Sequence, residues 1–456
     1  MLVMLSDLHF TDGSTASNPH ETAFGPLFEE LATTAKAKGA TEIHVVLLGD
    51  IFDLERSDYW HRNNVPPEKR PWGGAQLDPS TGMNPDPGVE KQFNDVLRES
   101  LNHKSSRAFI KAVGEFGGRV GIPARVTYVI GNHDRVLNNF DSLKQQVGRA
   151  FGPVSVAFDN EFGSTEYGVL ARHGHVWDQH CHGREFLTKV LQKGAEVDRF
   201  DPLAYKVMAI GEVVTAELMA GLVYYAREML PDPKHKAFIS TLMEVNNLRP
   251  MTDFIRWITW LMKQQSKEYV EVSTKALLKA LDGLLDSTFA RRWDGVKADF
   301  IVSGDITDYL SKGRTLLRRE GGVEALQKLI PIIEKIDSAL DVVTGRKGRD
   351  NLVRGAEKEF SDGQLPGEIQ YVVYGHSHGA RQDCFSATRD GRVQMYINTG
   401  TFLPVIERAA DKQSFAQSYR MTYVCLFRSD EDKKNRVGNG PTVDVWNGTR
   451  RKVYAL

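Results

Sequence analysis

The residues best suited to chemistry in this chain fall into five short clusters of Asp, His and Asn. In chain order the clusters are Asp7-Leu8-His9, Gly49-Asp50-Ile51-Phe52-Asp53, Gly131-Asn132-His133-Asp134, His173-Gly174-His175 and Gly375-His376-Ser377-His378. Carboxylate, imidazole and amide groups are ligands that suit hard and borderline divalent metal ions. One such cluster is common by chance, whereas five in succession predict a metal centre. The candidate ligands are Asp7, His9, Asp50, Asn132, His173, His376 and His378.

Each cluster directly follows a short apolar run. The runs cover residues 2–5, 43–48, 125–130, 168–172 and 369–374. Short, continuous apolar runs are typical of strands that are covered on both faces. In layered α/β folds, ligands bind beyond the carboxyl ends of such strands. The sequence therefore predicts that five strand ends converge on one site.

The order of the clusters resembles that of the calcineurin-like metallophosphoesterases, the superfamily that includes purple acid phosphatases and phosphoprotein phosphatases. The resemblance covers residues 1–55, 120–178 and 369–403. Within it, the segment from His173 to Asp178 is loosely similar to bacterial UDP-diacylglucosamine hydrolases of the lipid A pathway. The resemblance implies an α/β fold of the four-layer α/β/β/α type, to which the helical periodicity of residues 181–365 adds a large helical insertion. It also implies hydrolysis of a phosphate ester or anhydride by a bridging water or hydroxide at a binuclear metal centre.

The same resemblance assigns a role to each candidate ligand. Asp7, His9 and His378 would hold the first metal ion; Asn132, His173 and His376 would hold the second; and Asp50 would bridge the two. The mixed nitrogen and oxygen ligands accept several divalent ions. Mn²⁺ is the expected cofactor, and Fe, Zn and Mg remain open.

His133 follows a candidate ligand but is a non-ligating residue in the family. The resemblance implies that His133 is a general acid or transition-state stabiliser, supported by Asp134. The alternative is that His133 only orients a metal ligand. The role of Asp53 stays open, because the matching position in the family is sometimes a ligand and sometimes not.

Substrate-binding candidates are fewer. Arg135 directly follows the third cluster, and Arg62 lies in a long irregular loop between Glu55 and Gly88. Arginine can bind phosphate oxygens in a bidentate manner. Arg62 can equally be a solvated loop charge.

The chain divides into two regions with different hydrophobic patterns. Residues 1–180 and 366–456 carry all five clusters and are predicted to form the catalytic domain. Residues 181–365 have helical periodicity and are predicted to be an inserted cap or a dimer surface. The expected helices lie near 184–199, 203–229, 235–247, 251–268, 270–292 and 322–343. Ser303-Gly304-Asp305 resembles the second cluster. It follows the third and fourth clusters, however, whereas the family's motif order places such a segment before them, so we expect a turn within the insertion.

Composition sets broader limits. The chain has 456 residues, of which 41% are hydrophobic and 26% charged, as in ordinary globular proteins. Its formal net charge of −1 gives no strong signal for nucleic acid. Three widely spaced cysteines favour a reducing compartment.

No secretory signal pattern is present, and the most apolar stretch, Val207–Tyr225, contains Glu212 and Glu217. A cytoplasmic protein without a transmembrane segment is expected.

Several functions remain compatible with these residues. The favoured one is hydrolysis of a phosphodiester or pyrophosphate in a phosphorylated substrate of small to medium size. The alternatives are a cyclic-nucleotide or nucleic-acid phosphodiesterase and a non-catalytic scaffold with the same fold. The presence of all seven candidate ligands and of His133 argues against the scaffold. The oligomeric state is left open.

Overall fold

The computed structural model describes residues 1–191, 197–295, 306–328, 330, 351–362, 365–388, 392–434 and 440–452. The fold is mixed α/β, as predicted. The strands are β1 (Leu2–Leu5), β2 (Ile43–Leu48), β3 (Ala124–Val129), β4 (Val156–Asp159), β5 (Glu161–Ser164), β6 (Val169–Arg172), β7 (Tyr371–Tyr374), β8 (Arg381–Ala387), β9 (Val393–Asn398), β10 (Pro404–Arg408), β11 (Phe415–Phe427) and β12 (Thr442–Lys452).

Most helices lie between the third and seventh strands. The α-helices are α1 (Phe24–Ala37), α2 (Gly88–Asn102), α3 (Lys104–Val120), α4 (Asp141–Ala150), α5 (Arg184–Lys189), α6 (Ile210–Val213), α7 (Gly221–Met229), α8 (Lys236–Met243), α9 (Phe254–Met262), α10 (Lys267–Leu285), α11 (Thr288–Asp294), α12 (Ile306–Glu320), α13 (described over residues 322–328) and α14 (Asn351–Ser361). A π-helical segment, Val214–Ala220, joins α6 to α7. Short 3₁₀ helices cover Glu21–Ala23, Asp58–His61, Pro67–Lys69, Arg135–Asn138, His175–Trp177, Pro233–His235, Glu244–Asn247 and Met251–Asp253.

The strands form two sheets. The first has the order β10-β11-β1-β2-β3-β4, with β12 also paired to β11, and the second has the order β5-β6-β7-β9-β8. Strands β1 to β4 are parallel to one another, as are β6, β7 and β9. Parallel neighbours bring their carboxyl ends to one edge of a sheet. The five strands predicted to precede the clusters are confirmed as β1, β2, β3, β6 and β7.

Apolar side chains cover both faces of the central strands. In β1, Leu2 and Met4 share a buried cluster with Val169 and Val373 of the second sheet, so the two sheets pack against each other. Val3 and Leu5 point the other way, into a core that includes α1 and α3. On the second sheet, Val372, Tyr374 and Tyr396 pack against α14. Burial on both faces explains the unbroken apolar runs in the sequence.

The predicted helical region is helical over most of its described residues, but several bounds differ from the prediction. The expected helix at 270–292 is two helices, since the chain turns at Ser287, whose hydroxyl accepts from the Ala290 amide and begins α11. Residues 203–209 precede α6 and are not helical. Ser303-Gly304-Asp305 and residues 331–343 lie outside the described residues.

The apolar stretch Val207–Tyr225 is mostly buried within this region. Helix α10 packs along α7 and the π-helical segment that precedes it. Over the part of the chain that the structure describes, no helix combines the length and the apolar character needed to cross a membrane.

Candidate metal centre

The five clusters meet at one place because the turns that carry them hydrogen-bond to one another. The Asp7 amide donates to the Gly49 carbonyl (3.1 Å), and the His9 amide donates to the Asp50 carbonyl (2.9 Å). The His133 amide donates to Asp50 Oδ1 (2.9 Å). Across the sheets, the His376 amide donates to Asp7 Oδ2 (3.0 Å). Residues separated by up to 369 positions in the chain therefore share one network.

The backbone at this place adopts an uncommon conformation. Asp7, His9, Asp50, His376 and His378 all have positive φ angles, between 45° and 69°. Across the described residues only two other non-glycine positions, Lys412 and Asp432, do so. Positive φ costs energy for residues with a Cβ atom and is concentrated at functional sites. Five of the seven predicted ligands are held in this conformation.

The first predicted ligand group is compact and buried. Asp7, His9 and His378 have ligand atoms that all lie within 4.8 Å of one another. The His9 and His378 Nε2 atoms are 2.9 Å apart, and Asp7 Oδ1 lies 3.3 Å from His378 Nε2. Asp7 Oδ1 is buried and has no hydrogen-bond partner among the described residues. A buried carboxylate oxygen left without a donor fits a cation at this position.

The second group adjoins the first through Asp50. His173 Nε2 lies 3.2 Å from Asn132 Oδ1 and 3.1 Å from Asp50 Oδ2, and His376 completes the group with Asp50 and His173. Asp50 Oδ2 also lies 3.7 Å from His9 Nε2 of the first group. Asp50 is therefore placed between the two groups of ligands.

Hydrogen bonds at the far side of the rings orient the histidines. His9 Nδ1 is 2.9 Å from Asp53 Oδ2, and His173 Nδ1 is 2.9 Å from the Leu48 carbonyl. A proton on each Nδ1 leaves Nε2 with its lone pair directed into the cluster. His376 differs, because its Nε2 lies 3.2 Å from Asp178 Oδ2, so Nδ1 is the ring nitrogen that would be available to a metal ion. Asp53 thus contacts the predicted ligand His9, and Asp178 contacts the predicted ligand His376 and also forms a candidate metal-binding group with His376 and Cys181.

Opposite charges in this cluster shift one another's pKa values. Burial by itself would raise the pKa of Asp50, but His173 and His133 outweigh burial and lower it. Burial would likewise lower the pKa of His173, yet the Asp50 carboxylate raises it to about 9. The Asp50 carboxylate and the protonated His173 stabilise each other's charged forms. A bound metal cation would supply the positive charge that the imidazolium supplies in its absence.

His133 lies beside the ligands with a different set of partners. Its Nδ1 is 2.8 Å from Glu55 Oε2 and 3.2 Å from Asp53 Oδ2. Burial alone would lower the pKa of His133, but the carboxylates of Asp53, Asp50 and Glu55 outweigh it and hold the pKa well above its usual value. A protonated imidazole suits the predicted acid role.

The expected support from Asp134 takes another form. The buried Asp134 carboxylate accepts from the Ile51 amide (3.0 Å), the Gly131 amide (2.6 Å) and the Tyr128 hydroxyl (2.6 Å). These bonds tie together the turns that follow β2 and β3. Asp134 therefore shapes the site through the backbone, and Glu55 takes the position on His133 that the sequence assigned to Asp134.

The two arginines predicted to bind substrate have carboxylate partners in the structure. Arg135 is buried, and its Nε and Nη2 atoms bond both oxygens of Glu212 on α6 (2.8 and 2.9 Å). Arg62 binds Glu99 with two hydrogen bonds (3.0 and 2.8 Å) and also pairs with Asp58. Arg135 thus ties the His133 turn to the helical region, and Arg62 ties the long loop to α2.

Sequence reasoning gave no role to Glu55 or Arg249, whereas Arg56 lies in the loop between Glu55 and Gly88 that was considered for substrate binding. Glu55 follows the second cluster by two residues, and a carboxylate so close to the predicted ligands was a signal that could have identified it. Arg249 comes from the helical region, and its Nη2 lies 2.8 Å from His378 Nδ1. No local pattern marks Arg249, because its neighbours at the site are distant in the chain.

Gly131 packs directly against Asp50, so the substitution Gly131→Ala tests how closely the candidate metal centre is packed. A Cβ atom on Gly131 would overlap the Asp50 carboxylate and backbone. We expect Gly131→Ala to displace Asp50, to weaken metal binding at least about tenfold and to destabilise the fold by about 1–3 kcal/mol. Metal titration and denaturant unfolding would measure the two effects. Gly118→Ala on α3 is the control, because nothing lies within 4 Å of its added Cβ; equal metal affinity in both variants would contradict the expectation.

No protein-family model matches this chain, and no curated protein matches it at a significant level. The support for a function therefore comes from the residues and contacts of the chain itself.

Proposed function

We propose that this protein is a metal-dependent phosphoesterase that hydrolyses a phosphate ester or anhydride at a binuclear centre. The observation that carries the proposal is the convergence of all seven sequence-derived ligands into two groups that share Asp50, with His133 alongside. The packing of α1 and α3 on one sheet and of α14 on the other supports the proposed four-layer α/β/β/α arrangement.

The predicted ligands would be divided between two metal ions. Asp7, His9 and His378 would hold one divalent ion; Asn132, His173 and His376 would hold the other; and Asp50 would contact both. Two such ions supply Lewis acidity toward the phosphoryl oxygens and make hydroxide available near neutral pH. Mn²⁺ is the ion we propose first. The same mixed nitrogen and oxygen ligands also accept Fe, Zn and Mg.

His133 would act on the leaving group. Its Nδ1 is engaged by Glu55, so the proton that it can deliver is on Nε2. A positioned acid typically contributes ~10²–10⁴ in rate. Asp53 and Asp50 raise the pKa of the imidazole most strongly, and the contacts of Nδ1 with Glu55 and Asp53 orient the ring.

Hydrolysis of an aryl phosphodiester and of the matching aryl monoester tests the proposal. The purified protein would be reloaded with Mn²⁺, and its metal content would be measured beside that of Asp50→Asn as the blank. We expect turnover of at least one substrate by the loaded wild type and none by the blank. Bound metal without turnover of either ester would count against phosphoesterase activity on simple substrates and would favour the scaffold.

A further inference from the structure

Helices α2, α3 and α4 line a groove of about 560 Å³ that shares no residue with the candidate metal centre. Four basic side chains line this basic groove: Arg98 from α2, Arg107 and Lys111 from α3, and Arg149 from α4. Within the described part of the chain, no carboxylate is among the residues that line it. The formal net charge of the whole chain is only −1, so the excess of positive charge is a local feature of this groove.

The stability of α3 does not account for its two cations. Arg107 and Lys111 are spaced i, i+4, and like charges at this spacing destabilise a helix. Arg107 is the fourth residue of α3, close to the helix end where the helix dipole disfavours positive charge. Lys111 lies 3.8 Å from Glu115, whereas Arg107 has no ion-pair partner among the described residues. Arg107 therefore adds an unfavourable charge that no contact within the described chain offsets.

The cations from the other two helices increase the positive charge. Arg149 donates to the Gln145 side chain (3.2 Å) and has no carboxylate partner in the part of the chain that the structure describes. Arg98 pairs with Asp95 on its own helix (2.8 Å). A single ion pair at the surface contributes little, so the groove keeps a net positive charge. An anion between the four side chains would turn their mutual repulsion into attraction.

The remaining lining residues suit a ligand that is more than a bare anion. Leu101, Ile110 and Ala150 contribute apolar surface, and Asn102 and Gln146 contribute amide groups that donate and accept hydrogen bonds. Guanidinium groups bind phosphate oxygens through paired N–H donors. The volume of the groove is within the range of about 300–1,000 Å³ that is typical of small-molecule sites. Concave shape, several cations and an apolar part together favour a small phosphorylated molecule.

We propose that the basic groove binds a small organic polyphosphate, with its phosphate groups on the four cations and its apolar ring on Leu101 and Ile110. A nucleoside triphosphate has this chemistry. The proposal goes beyond the proposed function, because the groove and the metal centre are built from different residues.

Titration calorimetry with the β,γ-methylene analogue of ATP tests the proposal. We expect the Mn²⁺-loaded wild type and Asp50→Asn to bind the analogue with equal affinity, and the affinity to fall as salt is added. The double variant Arg107→Gln with Arg149→Gln should bind at least about tenfold more weakly, as for loss of two charged hydrogen-bond donors. Arg291→Gln with Arg292→Gln is the matched control, since it removes the same charge from two exposed arginines on α11.

Thermal unfolding provides a second readout. Without ligand, we expect Arg107→Gln to keep or exceed the wild-type Tm, because the substitution removes a like charge four residues from Lys111. Saturating analogue should raise the Tm of the wild type and leave that of the double variant unchanged. A fall in the Tm of unliganded Arg107→Gln would show that Arg107 stabilises the fold and would overturn the argument from charge repulsion.

Several results would overturn the proposal. They are the absence of analogue binding by the wild type, wild-type affinity in the double variant, and loss of binding in Asp50→Asn, which would place the analogue at the metal centre. Binding to vesicles of phosphatidylglycerol and phosphatidylcholine without binding of the analogue would replace the small molecule with a membrane surface.

The two proposals fail separately. Analogue binding that depends on Arg107 and Arg149, without ester turnover that depends on Asp50, would support the basic groove and reject the phosphoesterase. Turnover that depends on Asp50, without analogue binding in the groove, would do the reverse.

Discussion

Asp50→Asn is expected to lose bound metal and to bring turnover down to the level of the blank, a loss of at least about a hundredfold. Asp50 Oδ2 lies 3.1 Å from His173 Nε2 and 3.7 Å from His9 Nε2, so one carboxylate oxygen faces both ligand groups. Its other oxygen accepts from the His133 amide (2.9 Å). An Asn side chain removes the negative charge and presents only one acceptor oxygen. Both groups should be disturbed together.

Metal content by elemental analysis and kcat on the better aryl ester would measure the effect of Asp50→Asn. Asp141→Asn is the matched control, because the Asp141 side chain is 88% exposed at the start of α4. A variant that keeps two metal ions and a near-normal rate would contradict the bridging role. Loss of one metal ion alone would assign Asp50 to a single group.

His133→Ala is expected to keep its metal and to lose ~10²–10⁴ in kcat. The imidazole is held by Glu55 and Asp53, and its high pKa supplies a proton that alanine cannot replace. Metal content measured beside kcat separates an acid from a ligand. This distinction matters because His133 also lies within 4.8 Å of ligand atoms of His9 and Asp50. Loss of metal from a folded His133→Ala protein would make His133 a ligand.

Glu55→Gln refines the same prediction. Burial raises the pKa of Glu55 well above its usual value, and the adjacent His133 opposes that rise. Gln keeps an acceptor oxygen for His133 Nδ1 but removes the Glu55 contribution to the high pKa of His133, which Asp53 and Asp50 also raise. We expect a smaller fall in kcat than in His133→Ala, and no further fall when the two changes are combined, since residues that act as one unit are not additive. Independent, multiplicative losses would show that Glu55 acts on something other than His133.

Much of the fold could be predicted from the sequence, because the hydrophobic pattern of each strand lies within a few consecutive residues. Each run such as Ile43–Leu48 contains its own hydrophobic pattern, and each is confirmed as a strand. The helix bounds between 181 and 365 were less accurate. Periodicity alone does not locate a break such as Ser287, where a side-chain cap begins a new helix.

Local sequence patterns predict the five strand-and-cluster units, the chemical types of the candidate ligands and their order, because a strand followed by a polar turn is specified by residues close together in the chain. Which side chains complete the site depends on contacts between residues that are far apart in the chain. Glu55 meets His133 across 78 residues, and Arg249 meets His378 across 129. Arg135, adjacent to the third cluster, is instead paired with Glu212, 77 residues away. Contacts of this kind depend on how the helical region packs on the sheets, and no short-range pattern encodes them.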